Sequence, residues 1–468
     1  MGGETMRRMS RRALLRMTAG GVAAGYLGRA GEVVWAAAAR TDPYATARIN
    51  WRQLAGERIH ILVTPVHYFT KFRAVTSEFT RLTGIEVTFE VIPPREMREK
   101  AVLDLGARTA NYASHTADPM FLPLYAANNW VEPLDLFLDD AKLTDRAWFA
   151  LEDIVPLWRR ANTVRGRLWG MPVEGEVTIH IYRKDVYDRL GLRPPETLDE
   201  LRETARRSHA PAQNLFGLAL RGFRGAGQNM YIWPSLFRAY GGQWFDHAGR
   251  PTVNSEAGVR SLEYYVSVLR EFAPKGVENW NWPEIMEAFA AGTVVQYVDA
   301  NSTASVIENP AKSKVAGQIG YQRWPKGPAN KRVTSIWNWA MPINAALPSR
   351  KKQATWLYIQ WLASRPTQLS SATFKETPDA VVRTGVNRMS IWQDPEYRKV
   401  IAFTRDYADV VLTSLREDTD ADWRPRIPEW PEIGEAMAIA IQEALVGRKT
   451  PKQALDDANA ELSRILRR

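Results

Sequence analysis

Leu168–Leu201, LWGMPVEGEVTIHIYRKDVYDRLGLRPPETLDEL, decides how the chain is organised. Trp169-Gly170-Met171-Pro172 reads as a loop running into an extended segment in which Val177, Ile179 and Ile181 alternate. A period of two marks a strand with one face against a core. The polar tetrad Tyr182-Arg183-Lys184-Asp185, a short helical turn and Gly191 follow. Pro194-Pro195 holds the backbone extended, and Thr197 with Glu200 three residues on opens a helix as a capping box. Glu174 and Glu176 lie two apart at the start of the strand, where an extended backbone points both carboxylates to one side.

Working outward, residues 58–92 read as a βαβ unit. Ile59, Ile61 and Val63 form a short apolar run, Phe72, Val75, Phe79 and Leu82 recur at helical spacing, and Gly84 is the left-handed cap. Ile85 to Val91 then alternates as a strand, so the pair is parallel with a right-handed crossover. Ligands of open α/β sheets sit beyond the carboxyl ends of the strands. The stretch Thr64–Phe69 is such a loop, which makes His67 and Tyr68 candidate contacts. Further on, Gln228, Asn229 and Tyr231 read as a glycine-rich loop, with a helix starting after Trp233-Pro234 and stopping at Gly241-Gly242. Ser255 caps an amphipathic helix carrying Val259, Leu262, Val266 and Leu269. Glu284 to Ala291 is a short helix ahead of a strand over Thr293–Val298, and Gln353 to Leu362 is a core helix. Two helices, about Glu432–Leu445 and Pro451–Leu466, close the chain. Trp337 and Trp339 alternate on a strand and share a face. A flat indole covers the C–H face of a sugar ring and can offer its N–H to a hydroxyl.

Composition narrows the function classes. With 468 residues, 45% hydrophobic and 24% charged, the chain has material for more than one core. Residues 1–39 read as an export segment. Ser10-Arg11-Arg12-Ala13-Leu14-Leu15-Arg16 is a twin-arginine pattern, a weakly apolar stretch follows, and Ala36 to Ala39 offers a cleavage site. That segment holds six Arg and two Glu, so its removal takes the net charge from +10 to +6. The remaining basic residues are scattered among acids, which argues against nucleic-acid binding. The absence of cysteine excludes disulfides and thiolate metal sites. His60, His67, His115, His180, His209 and His247 form no pair at metal-ligand spacing, and neither metal nor cofactor is expected.

The quoted stretch resembles the extracellular solute-binding proteins of ABC importers, in particular the carbohydrate-binding, maltodextrin-type group. Gly170-x-Pro172, Glu176, Tyr182-x-Lys184-Asp185 and Pro194-Pro195-x-Thr197 stand in that group's order. Asp118 with Val131–Asp135, the helix and strand over 284–298, Ser335–Ile343 and Arg424–Pro431 continue the match. The resemblance implies a periplasmic-binding-protein type II fold, with two α/β lobes built from interleaved segments and joined by a hinge. The first lobe would hold 40–175 plus 340–390, and the second 176–339 plus 391–468. The resemblance further implies ligand contacts at Glu176, first among them, and at Glu174, Gln228, Tyr231, Trp233, Asp299, Asn301, Trp337, Asn338, Trp339 and Trp430. The chain departs from the group in lacking the tryptophan of the Asp299–Ser302 loop and in a shorter segment after Asp118.

The function implied is capture of a sugar, oligosaccharide or polyol by an exported monomer. It would be periplasmic or extracellular, peripheral to the membrane, and would deliver its ligand to the permease subunits of the importer. Two alternatives stand beside it. One is an exported carbohydrate hydrolase or lyase with Glu174 and Glu176 as acid and base, since paired carboxyls about 5–9.5 Å apart serve glycoside cleavage. The other is capture of an anionic sugar derivative through Arg221, Arg224, Arg424 and Arg426.

Overall fold

The computed structural model describes residues 42–375, 382–403 and 406–468, the side chains of His67 and Tyr68 excepted. The export segment expected over 1–39 therefore lies outside the described residues. Residues 42–47 form a turn belonging to a unit of their own, and residues 48–468 make up the other unit.

The expected βαβ unit is present. Strand β1 (Arg58–Val63) pairs in parallel with β2 (Glu86–Val91) and with the two-residue β3 (Ser114–His115), in the order β2-β1-β3. Between β1 and β2, helix α1 (His67–Thr83) buries Phe72, Val75 and Phe79. It ends at Gly84, whose φ of 74° is cheap only for a residue without Cβ. The helix begins at His67, so Thr64–Val66 is the whole of the connecting loop. Helix α2 (Pro94–Ala107) follows β2 directly.

The quoted stretch forms β4 (Met171–Arg183), a strand of 13 residues that changes partners half-way. Its first half pairs antiparallel with β7 (Ile336–Met341), setting Glu176 opposite Trp337, Gly175 opposite Asn338 and Glu174 opposite Trp339. From Thr178 onward it pairs instead with β5 (Gln296–Ala300) and β6 (Ile319–Gln322). Strand β7 in turn reaches the first sheet's neighbourhood, where Ala117 and Ala340 exchange backbone hydrogen bonds of 2.7 and 2.9 Å. One continuous strand thus carries both sets of partners. The capping box forms as read: Thr197 Oγ1 accepts from the Glu200 N–H and the Thr197 N–H donates to Glu200 Oε2, at 3.2 and 3.1 Å.

Two further element boundaries differ from the sequence reading. Helix α3 (Asn229–Ala239) takes in Tyr231 and Trp233 and carries Pro234 in its interior, where a loop was expected. Proline there removes one backbone hydrogen bond. The loss is outweighed because Met230, Tyr231, Ile232, Trp233, Leu236 and Phe237 are all buried, and burial of each is favourable by about 1.5–3 kcal/mol. Strand β5 runs to Ala300, later than expected, so Asp299 is part of the strand and Asn301–Thr303 is a 3₁₀ turn.

Candidate functional site

The two pairings of β4 change over between Val177 and Thr178, and a cavity of about 110 Å³ opens beside Glu176, just before that point. Its walls come from segments far apart in the chain. Val66 follows β1, and Pro94 and Arg98 begin α2. Trp337 and Trp339 project from β7, Ala300 ends β5 with Ser302 and Thr303 following it, and Arg221, Gly227 and Gln228 supply a loop. Helix α4 (Trp282–Ala290) closes one side with Asn281, Trp282 and Met286.

Strand alternation explains the tryptophans. Trp337 and Trp339 face the cavity edge to face, 5.8 Å between centroids, and the intervening Asn338 is buried and not among the lining residues. The Trp337 ring is clamped from behind by Tyr231 at 6.0 Å, and the Arg98 and Arg424 guanidiniums lie 5.8 and 5.3 Å from its centre. Its Nε1 is buried and has no protein partner. Gly227 lets the loop approach this ring: a Cβ there would come to 3.1 Å from the indole edge.

Of the charged groups that line the cavity, all but one are paired. Arg98 binds Asp118 with two nitrogens, Nη2 at 3.2 Å from Oδ1. Arg221 binds Asp299 in the same forked manner, with Nε 2.8 Å from Oδ2, and donates from Nη1 to the Gly227 carbonyl at 3.1 Å. Its plane lies 4.1 Å from the centre of the Tyr231 ring. Forked pairs of this kind fix geometry as well as charge. Glu176 has no such partner. Its carboxylate accepts from the Ser302 hydroxyl, and burial pushes its carboxyl up to about 7, with Ser302 and Arg221 opposing and Asp299 reinforcing.

The remaining candidates fall into place around this cavity. Gln228 lines it, whereas Tyr231, Asp299 and Asn301 lie in the layer behind. Asn301 accepts from the Val177 N–H at 2.8 Å and donates to the Tyr407 hydroxyl at 2.9 Å, locking the 3₁₀ turn to β4. Trp233 is core, stacked on Phe237 at 5.0 Å, and Trp430 is core against Trp244 at 5.3 Å. Both side chains are fully buried within their helices. Glu174 is also withdrawn: it is ion-paired with Arg383 at 3% and 0% side-chain exposure and does not line the cavity. The side chains of His67 and Tyr68 lie outside the described residues.

Sequence reasoning passed over Arg98, Ser302, Trp282 and Met286. Only Ser302, in the polar loop after a strand, carried a local signal. Of the four arginines weighed for an anion, Arg221 alone lines the cavity, and it is held by Asp299. Arg224 pairs with Glu435, Arg426 with Asp422, and Arg424 donates to the Ala226 carbonyl at 3.1 Å. Among the described residues no group of His, Cys, Asp and Glu could hold a metal, and no helix is long and apolar enough to cross a membrane.

A sequence profile of the bacterial extracellular solute-binding proteins matches residues 67–369, which takes in β2, β3, β4, β7 and every cavity-lining residue but Val66. The chain belongs to that family. Among relatives of this solute-binding protein is the mannitol-binding protein of Pseudomonas aeruginosa, 28% identical over 82% of this chain and 87% of the relative. A probable amino-acid ABC transporter periplasmic-binding protein of Sinorhizobium fredii is 29% identical over 88% of this chain and 90% of the relative. Among solved structures, an ABC transporter solute-binding protein of Agrobacterium radiobacter K84 in complex with ribitol superimposes with a TM-score of 0.79 at 26% identity, over 88% of this chain and 99% of that one. The fold is the type II periplasmic-binding-protein fold, as the motif order implied.

Proposed function

We propose that this solute-binding protein captures a neutral polyol or small sugar in the cavity between Glu176 and Trp337 and hands it to the transmembrane subunits of an ABC importer. The observation that carries this reading is the composition of the cavity wall. The indole of Trp337 stands beside a carboxylate acceptor, Glu176, its cross-strand partner, and both lining guanidiniums are already neutralised. Hydroxyl groups are donors to such a carboxylate, the indole covers the C–H side of their carbon chain, and each hydrogen bond to a charged group contributes about 1.5–3 kcal/mol. The size supports a short chain over an oligosaccharide. An engineered apolar cavity of about 150 Å³ holds one benzene, so 110 Å³ is the scale of a single small molecule. The mannitol-binding relative and the ribitol complex point the same way.

Around this site the reading assigns residues 40–175 plus 340–390 to one lobe and 176–339 plus 391–468 to the other. Segments β4 and β7 are the hinge, and closure of the lobes around ligand is the transport signal. Residues 1–39 direct export by the twin-arginine route, and the mature protein acts as a monomer outside the cytoplasm. It performs no catalysis. Glu174, the second carboxyl a hydrolase would need, is spent on Arg383 behind the hinge.

A thermal-shift panel of ribitol, mannitol, erythritol, maltotriose and the common amino acids tests the reading. A short polyol at 100 times its Kd is expected to stabilise the protein by about 2.7 kcal/mol, with no shift from maltotriose. A shift from amino acids alone would refute it, because an amino acid's carboxylate requires a free cation where Arg98 and Arg221 are already paired.

A further inference from the structure

Three charged side chains line the cavity: Arg98, Arg221 and Glu176. The two arginines are cancelled in forked pairs by Asp118 and Asp299, and Glu176 receives a single hydroxyl hydrogen bond. The cavity wall therefore carries one uncompensated negative charge, facing the space a ligand would fill.

We propose that Glu176 sets the charge specificity of this cavity, so that neutral polyols are accepted and the corresponding polyol acids are rejected. The inference rests on the polyol reading and names the residue that enforces it. A polyol acid has the same hydroxyl pattern with one terminal carbon oxidised to carboxylate. Bound here, that carboxylate shares a desolvated site with Glu176, and like charges at such range disfavour each other strongly. Each lining guanidinium is already charge-neutralised by its own carboxylate, so neither brings a net positive charge to offset a second anion in the cavity.

The charge on Glu176 is adjustable within the ordinary pH range. The groups facing it are Ser302 and Asp299 from the β5 end, Arg221 from the loop, Tyr231 from α3, and the Tyr407 hydroxyl from beyond Asn301. Arg98 with Asp118 lie across the cavity, and Glu174 with Arg383 lie one step back along β4. Arg424 lies against the Trp337 ring, bound to the Ala226 carbonyl, and does not line the cavity. Burial outweighs the favourable contacts and brings the Glu176 carboxyl up to about 7. Above that pH Glu176 is anionic and rejects acids. Below it the carboxyl is protonated, while a free polyol acid, with an ordinary carboxyl value of about 4, remains an anion. Rejection therefore weakens as pH falls from about 8.5 to about 5.5.

Calorimetric titration of the mature protein with ribitol and with ribonate, at pH 5.5, 7.0 and 8.5, tests this. Ribitol is expected to bind at least 100-fold more tightly than ribonate at pH 8.5, and the ratio to fall to 10-fold or less at pH 5.5. In Glu176→Gln ribitol binding weakens, and the ratio stays at 10-fold or less at every pH. Ser302→Ala removes the hydrogen bond that favours the anion and moves the midpoint of the wild-type transition to higher pH. Ribonate binding within 10-fold of ribitol at pH 8.5, a ratio of 100 persisting in Glu176→Gln, or an unmoved midpoint in Ser302→Ala overturns the charge specificity alone. No binding of ribitol or mannitol at any pH overturns the polyol reading and this inference with it.

Discussion

Replacing Arg383 with methionine is expected to cost this protein about 3–5 kcal/mol of stability at pH 8, the penalty for leaving one member of a buried ion pair behind. Arg383 uses its whole guanidinium. Nε and Nη2 hold Glu174, with Nε at 2.9 Å, Nη2 also reaches Gln368 Oε1 at 3.0 Å, and Nη1 donates to Ser371 Oγ at 2.5 Å. The ring of Phe72 lies 4.4 Å from the guanidinium carbon. Methionine keeps much of the stem's packing and removes all of these donors. Glu174 is then alone in a site where burial already drives its carboxyl upward and Arg383 is the chief group opposing that drive. Its value rises further in the variant. A carboxyl whose folded value lies above its unfolded one stabilises the fold at low pH and loses that contribution as pH rises, so the defect is smaller at pH 5 than at pH 8. The double variant Glu174→Gln/Arg383→Met removes the stranded charge and should recover most of the loss and its pH dependence. Urea unfolding of the three proteins at both pH values checks this. Equal instability of the single and double variants would show that Arg383 acts through packing and not through the pair.

Gly175→Ala is expected to be as damaging, for a steric reason. Gly175 lies between the two glutamates, opposite Asn338 on β7. A Cβ there would fall 2.1, 2.3 and 2.4 Å from the Cε2, Cζ2 and Cδ2 atoms of the Trp158 indole. Trp158 is itself 1% exposed, on the short helix Pro156–Ala161, so neither the ring nor the strand has space to yield. Overpacking a core costs about 1–3 kcal/mol, and more where nothing can shift; three contacts this close put Gly175→Ala at or beyond the upper end. Trp158→Ala alone should cost about 3–5 kcal/mol. In the Gly175→Ala background the same truncation should cost at least about 1.5 kcal/mol less, because the methyl then occupies part of the space the ring left. Additive losses would contradict the clash. The damage should also reach binding, since displacement of β4 at Gly175 moves Glu176, the next residue.

These two positions also show how far the sequence could be read. Alternation over Ile85–Val91, the cap at Gly84 and the Thr197–Glu200 box announce themselves locally, and each element appears with its boundary within a few residues. The shared face of Trp337 and Trp339 is likewise a local consequence of strand geometry. What is absent from local pattern is choice among partners. Glu174 and Glu176 look alike on paper, and Arg383, more than 200 residues downstream, separates a structural carboxylate from one facing the cavity. Arg98 has no signature within the charged run Arg95–Lys100. It reaches the cavity only because α2 starts where β2 ends. Trp233 and Trp430 resemble sugar-stacking residues in composition, yet each side chain is fully buried in the core. Pro234 argued for a loop, and the burial of its neighbours overrode it.

Whether one cavity, between the carboxylate of Glu176 and the indole of Trp337, holds a short neutral polyol is best decided by a crystal structure of the mature protein grown with ribitol. Ligand density is expected there, with a hydroxyl within hydrogen-bonding distance of Glu176 and the carbon chain lying along the Trp337 face. Ribitol bound at another place on the protein, or that cavity filled by solvent at saturating ribitol, would contradict it.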